Sequence, residues 1–435
     1  MNKASGAGSS RREFIRNSGA VMAAAATFHV ASSARAAAGD SNSEVLKVGL
    51  IGCGGRGTGA VREALLADPN TKLVALGDTF SDRLDECLTK LKSAGSGIES
   101  HQIAVDDDHK FTGFDNYLGV IAACDVVVLA SPPAFRPAHL KAAVEKGCHV
   151  FCEKPIAVDP EGVRSVRETS KLAKEKGLSL VSGLCYRYQF SKQDVIKQIQ
   201  DGALGKILTM QTTYNTGALW FHERQPEWSD TEFQVRNWLY HDWLSGDHIN
   251  EQHIHSLDKI GWVMGNVYPV KATSSGGRVV RTDEKFGNIY DHFNTVYEWA
   301  DGTKCFSSCR QWASTSTDVS DWIYGTEGVG ELQSHIIDSK KIGKWEHKAT
   351  GPDNMYQNEH NALFASIRKG EAINNGEYMC DSTLMAIMGR LSAYTGKTLT
   401  WEEVANAPIS IVPATLEWGP LATRPIARPG ETAFA

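Results

Sequence analysis

His255, Glu251 and Lys154 are the side chains whose types combine most readily into chemistry. An imidazole titrates near neutral pH and can take the proton of a secondary hydroxyl. An ammonium group can polarise the same oxygen or relay the proton, and a carboxylate can hold the ring and favour its charged form. The stretch from His241 to Asp258 carries the densest set of ionisable residues in the chain. Read as a helix from about Ile249, it puts Glu251, His255 and Asp258 on one face and Ile254, Leu257, Ile260 and Val263 on the core-facing side. His248, Glu251, His253 and His255 compete as metal ligands. No two of these histidines stand four apart, however, and His253 and His255 would share a face only in a strand. No metal is therefore expected, and His255 is read as a base. Arg187, Trp238, His241, Asp242 and His253 are the candidate substrate contacts.

These groups need a scaffold, and the first half of the chain spells one out. Val48, Leu50 and Ile51 form a short apolar strand that runs into Gly52-Cys53-Gly54-Gly55-Arg56-Gly57 and then into a helical pattern. A second strand, Leu73 to Leu76, leads to Asp78, about 20 residues past the last glycine. In this context Gly52 permits the tight turn, Gly54 lets the backbone approach a pyrophosphate, and Gly57 lets the helix pack closely. The helix N-terminus supplies donors to the phosphates. Asp78 should accept hydrogen bonds from ribose hydroxyls and repel a 2′-phosphate, so NAD is expected over NADP, although Arg83 stands nearby in sequence. The apolar run Val126 to Ala130 reads as a central parallel strand covered on both faces. Beyond the strand ends, Ser131-Pro132 and Glu153-Lys154-Pro155 should face the same crevice. The cofactor contacts expected are Gly52, Gly54, Arg56, Gly57, Asp78, Ser131, Pro132, Glu153 and Lys154.

The rest of the chain predicts an α/β protein of two parts: a doubly wound parallel sheet of the Rossmann type over 45–180, and an α+β domain with an open, mainly antiparallel sheet over 181–407. Strands are expected at Lys206–Thr213, Val267–Thr273, His292–Trp299, Thr303–Gln311 and Trp322–Tyr324, and helices at Asn358–Lys369 and Thr383–Thr395. The aromatic-rich stretch Asn215–Trp243 reads as one long loop of the kind that covers substrates, and 408–435 as an irregular arm on the surface or on a partner subunit. With 435 residues, 45 Lys+Arg against 51 Asp+Glu and a net charge of -6, the chain has no basic patch suited to nucleic acid. It also has no apolar run long enough to span a bilayer. Nine cysteines without a CxxC pair suggest small buried hydrophobes.

The pieces Gly52 to Gly57, Ser131-Pro132 and Ala142 to Pro155 make the chain resemble the glucose-fructose oxidoreductase/inositol dehydrogenase (Gfo/Idh/MocA) family, across nearly all of its folded length. The resemblance implies that Lys154 sits beside the nicotinamide and takes part in proton transfer. It also implies that a later Asp-x-Gly-x-His segment supplies the catalytic histidine. Here that segment is Glu251-Gln252-His253-Ile254-His255, so His255 falls on the family's histidine, Glu251 replaces the aspartate and His253 the glycine. The activity implied is hydride transfer between a sugar, cyclitol or glycoside hydroxyl carbon and a tightly bound NAD. The alternative is a redox-neutral glycoside hydrolase or epimerase working through a transient keto-sugar. A homo-oligomer with a carbohydrate substrate is expected. Residues 1–38, with Arg11-Arg12, an Ala-rich centre and Ala34-Arg35-Ala36, resemble a twin-arginine signal and imply export to the periplasm, already folded around the cofactor.

Overall fold

In the computed structural model, which describes residues 44–434, the chain begins with six short strands. These are β1 (Leu46–Ile51), β2 (Thr71–Gly77), β3 (Lys110–Phe111), β4 (Val126–Leu129), β5 (His149–Cys152) and β6 (Leu180–Ser182). They pair in parallel in the order β3-β2-β1-β4-β5-β6. All four residues of β4 are buried, as helices on both faces of a parallel sheet require. The strand order reverses between β1 and β4. That reversal opens a crevice beyond their carboxyl ends, where Gly52 and Ser131 begin the following turns. The proposed export segment lies outside the described residues.

The second sheet has nine strands, β7 (Ile207–Thr216), β8 (Lys271–Gly277), β9 (His292–Glu298), β10 (Lys304–Gln311), β11 (Asp318–Gly325), β12 (Gly328–Glu331), β13 (Ile336–Ser339), β14 (Gly343–Glu346) and β15 (Leu399–Thr400). Their order is β14-β13-β12-β11-β7-β10-β9-β8-β15. The sheet is antiparallel except where β10 lies parallel to β7. The exception follows from the connections, because β8, β9 and β10 form a meander whose last strand returns beside β7 in the same direction. Strand β10 alternates exposed Lys304 and Phe306 with buried Cys305 and Ser307, the signature of a sheet packed on one face. Helix Ile254–Val263 and the long helix Gly376–Thr395 cover that inner face, and the latter also packs on helix Pro160–Glu175 of the first half. The long helix begins at Gly376 rather than at Thr383. All nine cysteines are free and buried.

The stretch Asn215–Trp243 is not one loop. Ser229 caps a helix over Asp230–Arg236 by accepting from the Glu232 N–H at 3.2 Å, and short helical turns follow at Trp238–Tyr240 and Asp242–Ser245. The Ser-x-x-Glu signal was present but was masked by the surrounding aromatics and proline. After Asn406 no further helix or strand forms among the described residues, and the segment lies along its own chain. The Ile411 N–H donates to Asp159 (2.8 Å), Tyr290 O–H to the Ala427 carbonyl (2.9 Å) and the Gly430 N–H to the Thr395 carbonyl (2.9 Å). Among the described residues no helix is long and apolar enough to cross a membrane.

Candidate active site

The crevice is a cavity of about 490 Å³ lined by Gly52, Gly54, Gly57, Asp78, Ser131 and Pro132, with Arg56 at the helix start. Three glycines shape it in different ways. Gly52 has φ +95°, and a Cβ there would lie 2.4 Å from the Ser131 nitrogen. A Cβ on Gly57 would lie 1.8 Å from the Gly52 carbonyl oxygen, so the helix touches the turn backbone to backbone. Around Gly54 there is open space. Helix Gly55–Ala67 has Gly54 as its N-cap and no side chain capping it. Its first-turn N–H groups, on residues that line the cavity, are thus left for an anion. Asp78 accepts from the N–H groups of Cys53 (2.7 Å) and Phe80 (3.0 Å), which ties the end of β2 to the glycine turn. Burial raises the Asp78 carboxyl above its ordinary value, and those two bonds oppose the rise. The cradle fits a dinucleotide: glycines where a side chain would clash or block, unused N–H groups for phosphate, and a carboxylate at the second strand's end. Gly57→Ala should cost about 3 kcal/mol or more of stability and abolish dinucleotide binding, because the neighbour that must move is backbone. Gly59→Ala, whose Cβ would meet only Arg56 Nη1 at 3.8 Å, should be tolerated. Calorimetric titration with NAD and thermal unfolding of both variants check this.

Arg56 and Glu153 act as a unit. The Arg56 guanidinium donates to Glu153, to Glu63 at 3.1 Å and to Glu359 at 3.0 Å, and lies 4.7 Å from the centre of the Tyr356 ring. Burial alone would lower the Arg56 pKa, but the three carboxylates outweigh it and hold the group charged. Burial, with Glu153 nearby, pushes Glu359 well above the usual carboxylate range. Glu153 is not among the residues lining the cavity; it is buried, and its role is to fix Arg56, which is.

The next residue, Lys154, also expected as a cofactor contact, does not line the cavity either; it precedes a cis peptide to Pro155. Its Nζ donates to Glu251 twice, to Oε1 at 3.0 Å and to the backbone carbonyl at 2.6 Å. Here the structure corrects the expected single helix. Helix His248–Glu251 ends at once, and a new helix starts at Ile254, so Glu251, His255 and Asp258 do not share one face. Glu251 turns to Lys154 and Asp258 to Arg187, and no bond joins Glu251 to His255. His255 is half-buried; its ring meets the Tyr186 ring edge to face at 5.5 Å, and its Nδ1 is buried without a partner. Burial first, then the charges of Lys154, Lys259 and Arg56, hold its pKa well below the usual imidazole range. Glu251 therefore does not favour the charged ring as expected; burial and the neighbouring cations favour the neutral imidazole.

Four of the candidate substrate contacts are placed elsewhere. Arg187 is engaged by Asp258 at 2.8–3.2 Å and by Asn266 at 2.9 Å, and is flanked by the rings of Trp262 and Tyr378. It holds two helical segments together. His253 turns into the sheet and bonds Ser307 on β10 at 2.6 Å, with burial driving its pKa to about 3. His241 and Asp242 are buried, and neither lines the cavity. Burial takes His241 to about 3 as well. Trp238 does reach the cavity, on the wall formed with Trp220, His222 and Arg236. The histidines of this segment do not converge, and among the described residues no group of three or more His, Cys, Asp or Glu could hold a metal ion.

Sequence reasoning passed over Arg136. This buried guanidinium donates to the carbonyls of Ser131 (2.8 Å) and Pro155 (2.6 Å), clamping the two strand-end turns together. A cation in the first turn of a helix opposes the helix dipole, and that unfavourable position was the available hint of a specific partner.

Comparison with known proteins agrees with this geometry. The family model for the oxidoreductase family with an NAD-binding Rossmann fold matches residues 46–184, and that for the GFO/IDH/MocA C-terminal domain matches 193–331. A 2,7-anhydro-N-acetylneuraminate hydratase of Mediterraneibacter gnavus is 28% identical over 179 residues, 41% of this chain and 43% of that protein. Inositol 2-dehydrogenase 4 of Saccharopolyspora erythraea is 30% identical over 217 residues, 48% of this chain and 56% of its own. The chain thus spans about half the length of these curated relatives. A solved levoglucosan dehydrogenase, in complex with NADH and levoglucosan, superposes with a TM-score of 0.62 at 20% identity, covering 82% of this chain and 99% of that one. With both matched segments belonging to one family and together taking in well over half of the sequence, this chain is a member of the GFO/IDH/MocA oxidoreductase family with an NAD-binding Rossmann domain.

Proposed function

We propose that the chain is an oxidoreductase that moves hydride between the hydroxyl-bearing carbon of a sugar, cyclitol or glycoside and NAD, with NAD preferred to NADP. The observation that carries the reading is the Lys154–Glu251 pair, one residue from the carboxylate that anchors Arg56 on the cavity wall, with His255 close enough to feel the lysine's charge. Gly52, Gly54, Gly57 and Asp78 would hold the dinucleotide, whose nicotinamide supplies the hydride acceptor when bound. Lys154 then stabilises negative charge on the substrate oxygen, and Glu251 fixes where the ammonium points. Neutral His255 takes the hydroxyl proton. The Asp78 carboxylate favours a free ribose hydroxyl over a 2′-phosphate, which supports NAD.

A second reading is favoured by the hydratase relative, whose name describes a reaction with no net oxidation. The same three groups could serve a cycle that oxidises and re-reduces one sugar, giving hydrolysis or epimerisation. The twin-arginine pattern supports this arrangement, since an exported enzyme would carry its cofactor with it, acting in the periplasm as a homo-oligomer.

The test starts from purified protein: release of bound NAD on denaturation, then NADH absorbance across a panel of sugars with product analysis by NMR. NADH in step with ketone supports the dehydrogenase; sugar turnover without NADH supports the redox-neutral cycle. In either case His255→Asn should lower turnover by about 10²-fold or more. Wild-type protein that binds NAD but turns over no sugar, together with a His255→Asn variant that binds sugars as the wild type does, would refute an enzymatic role.

A further inference from the structure

We propose that the C-terminal segment is the outer clamp on the adenosine half of the bound dinucleotide, with Trp418 as its positioning residue. The proposal rests on the NAD-binding reading of the cavity. Asp78, Phe80, Arg83 and Phe114 are among the residues that line that cavity. In this topology the carboxylate at the end of the second strand receives the adenosine ribose, so Phe80 and Phe114 border the place of the adenine base.

Both rings are only partly buried, and both touch Trp418. Its ring centre lies 4.6 Å from that of Phe114 at 32° and 5.7 Å from that of Phe80 at 41°. These are favourable aromatic contacts, made by a residue on an irregular segment more than 300 positions away in sequence. Trp418 itself is 47% exposed, so burial of its own surface is a poor reason for its position.

The segment is fastened where it would need to be. The Gly419 carbonyl accepts from the Thr231 N–H and hydroxyl, both at 3.2 Å, and the Leu421 carbonyl accepts from Gln234 Nε2 at 2.7 Å. Thr231 and Gln234 belong to helix Asp230–Arg236, whose Val235 and Arg236 line the same cavity. Arg236 closes the circuit: its guanidinium lies 3.9 Å from the centre of the Phe80 ring and pairs with Asp82 at 3.1 Å. One strap therefore joins the helical wall and the aromatic wall of the adenosine end. With Trp418 in place the two phenylalanines are held before the ligand arrives; without it, binding must order them, and the dinucleotide escapes more easily.

Calorimetric titration of wild type, Trp418→Ala and Trp418→Phe with NAD, AMP and nicotinamide mononucleotide tests this. Trp418→Ala should weaken NAD and AMP about tenfold and leave the mononucleotide unchanged, with Trp418→Phe restoring most of the loss. In the wild type, AMP but not the mononucleotide should slow amide exchange around Trp418, a measurement independent of how the variants fold. Unchanged AMP affinity in Trp418→Ala, equal losses for the two mononucleotides, or exchange indifferent to AMP each overturns the proposal. A wild type that binds neither NAD nor AMP refutes the underlying reading, and the clamp with it.

Discussion

Lys154→Met is expected to lower sugar turnover by about 10²–10⁴-fold while leaving NAD affinity nearly unchanged, the range typical for loss of a positioned proton-transfer group. Two effects add. The substrate oxygen loses its cation, and the Glu251 carboxylate, only 17% exposed, loses the ammonium 3.0 Å away. Glu251→Gln keeps the shape and removes the charge, so it should cost less. The double variant should be little worse than Lys154→Met alone, because Glu251 acts through the lysine. Steady-state kinetics on the four proteins, with NAD binding measured separately, decide the matter. Additive losses would mean that Glu251 does its work elsewhere, on the substrate or on His255.

A strong loss of stability in mild acid is the second large effect expected. His139, His241 and His253 are pushed by burial to about 3, and burial holds His255 and His360 well below their ordinary value. In the unfolded chain each titrates near 6.5. As pH falls below about 6.5 the unfolded state takes up protons that the folded state refuses, so stability is full above that value and drains as pH drops toward 3. Each imidazole contributes about 1.4 kcal/mol per pH unit in that window. Asp78 and Glu359, whose carboxyls are raised by burial, bind protons more readily in the folded state and offset part of the slope. Urea midpoints from pH 8 to 4.5 should show the fall. His241→Phe should flatten it by about one proton, since neither ring nitrogen of His241 has a partner to lose. A midpoint constant between pH 7 and 5 would show that these rings are solvated in the folded protein.

The glycine turn could be read from the chain because its causes are local. Ile51, Gly52, Gly54, Gly57 and Asp78 lie within one strand-turn-helix-strand unit, and the clash that excludes a side chain at Gly57 involves Gly52, five residues away. The same holds for the strand expected at Thr303–Gln311, which forms as β10 over Lys304–Gln311. The catalytic candidates were identifiable by type, since Lys154 follows a strand end and Glu251 and His255 stand in a charge-dense stretch.

How those groups are wired was not in the local pattern. A spacing of four residues suggested that Glu251 holds His255, but Glu251 is paired with Lys154, 97 residues away, and the helix that would have aligned them breaks at Gln252-His253. Arg187 looked like a substrate contact until Asp258, 71 residues on, claimed its guanidinium. The tail of the chain meets the rings that line the cavity only through contacts of Trp418 with Phe114 and Phe80, more than 300 residues apart in sequence. Sequence fixes backbone conformation where steric limits act over a few residues, and it states which charges are present. Which charges neutralise one another is decided by folding, because a partly buried ion is held by whichever opposite charge the two sheets bring within about 3 Å, whatever its distance along the chain.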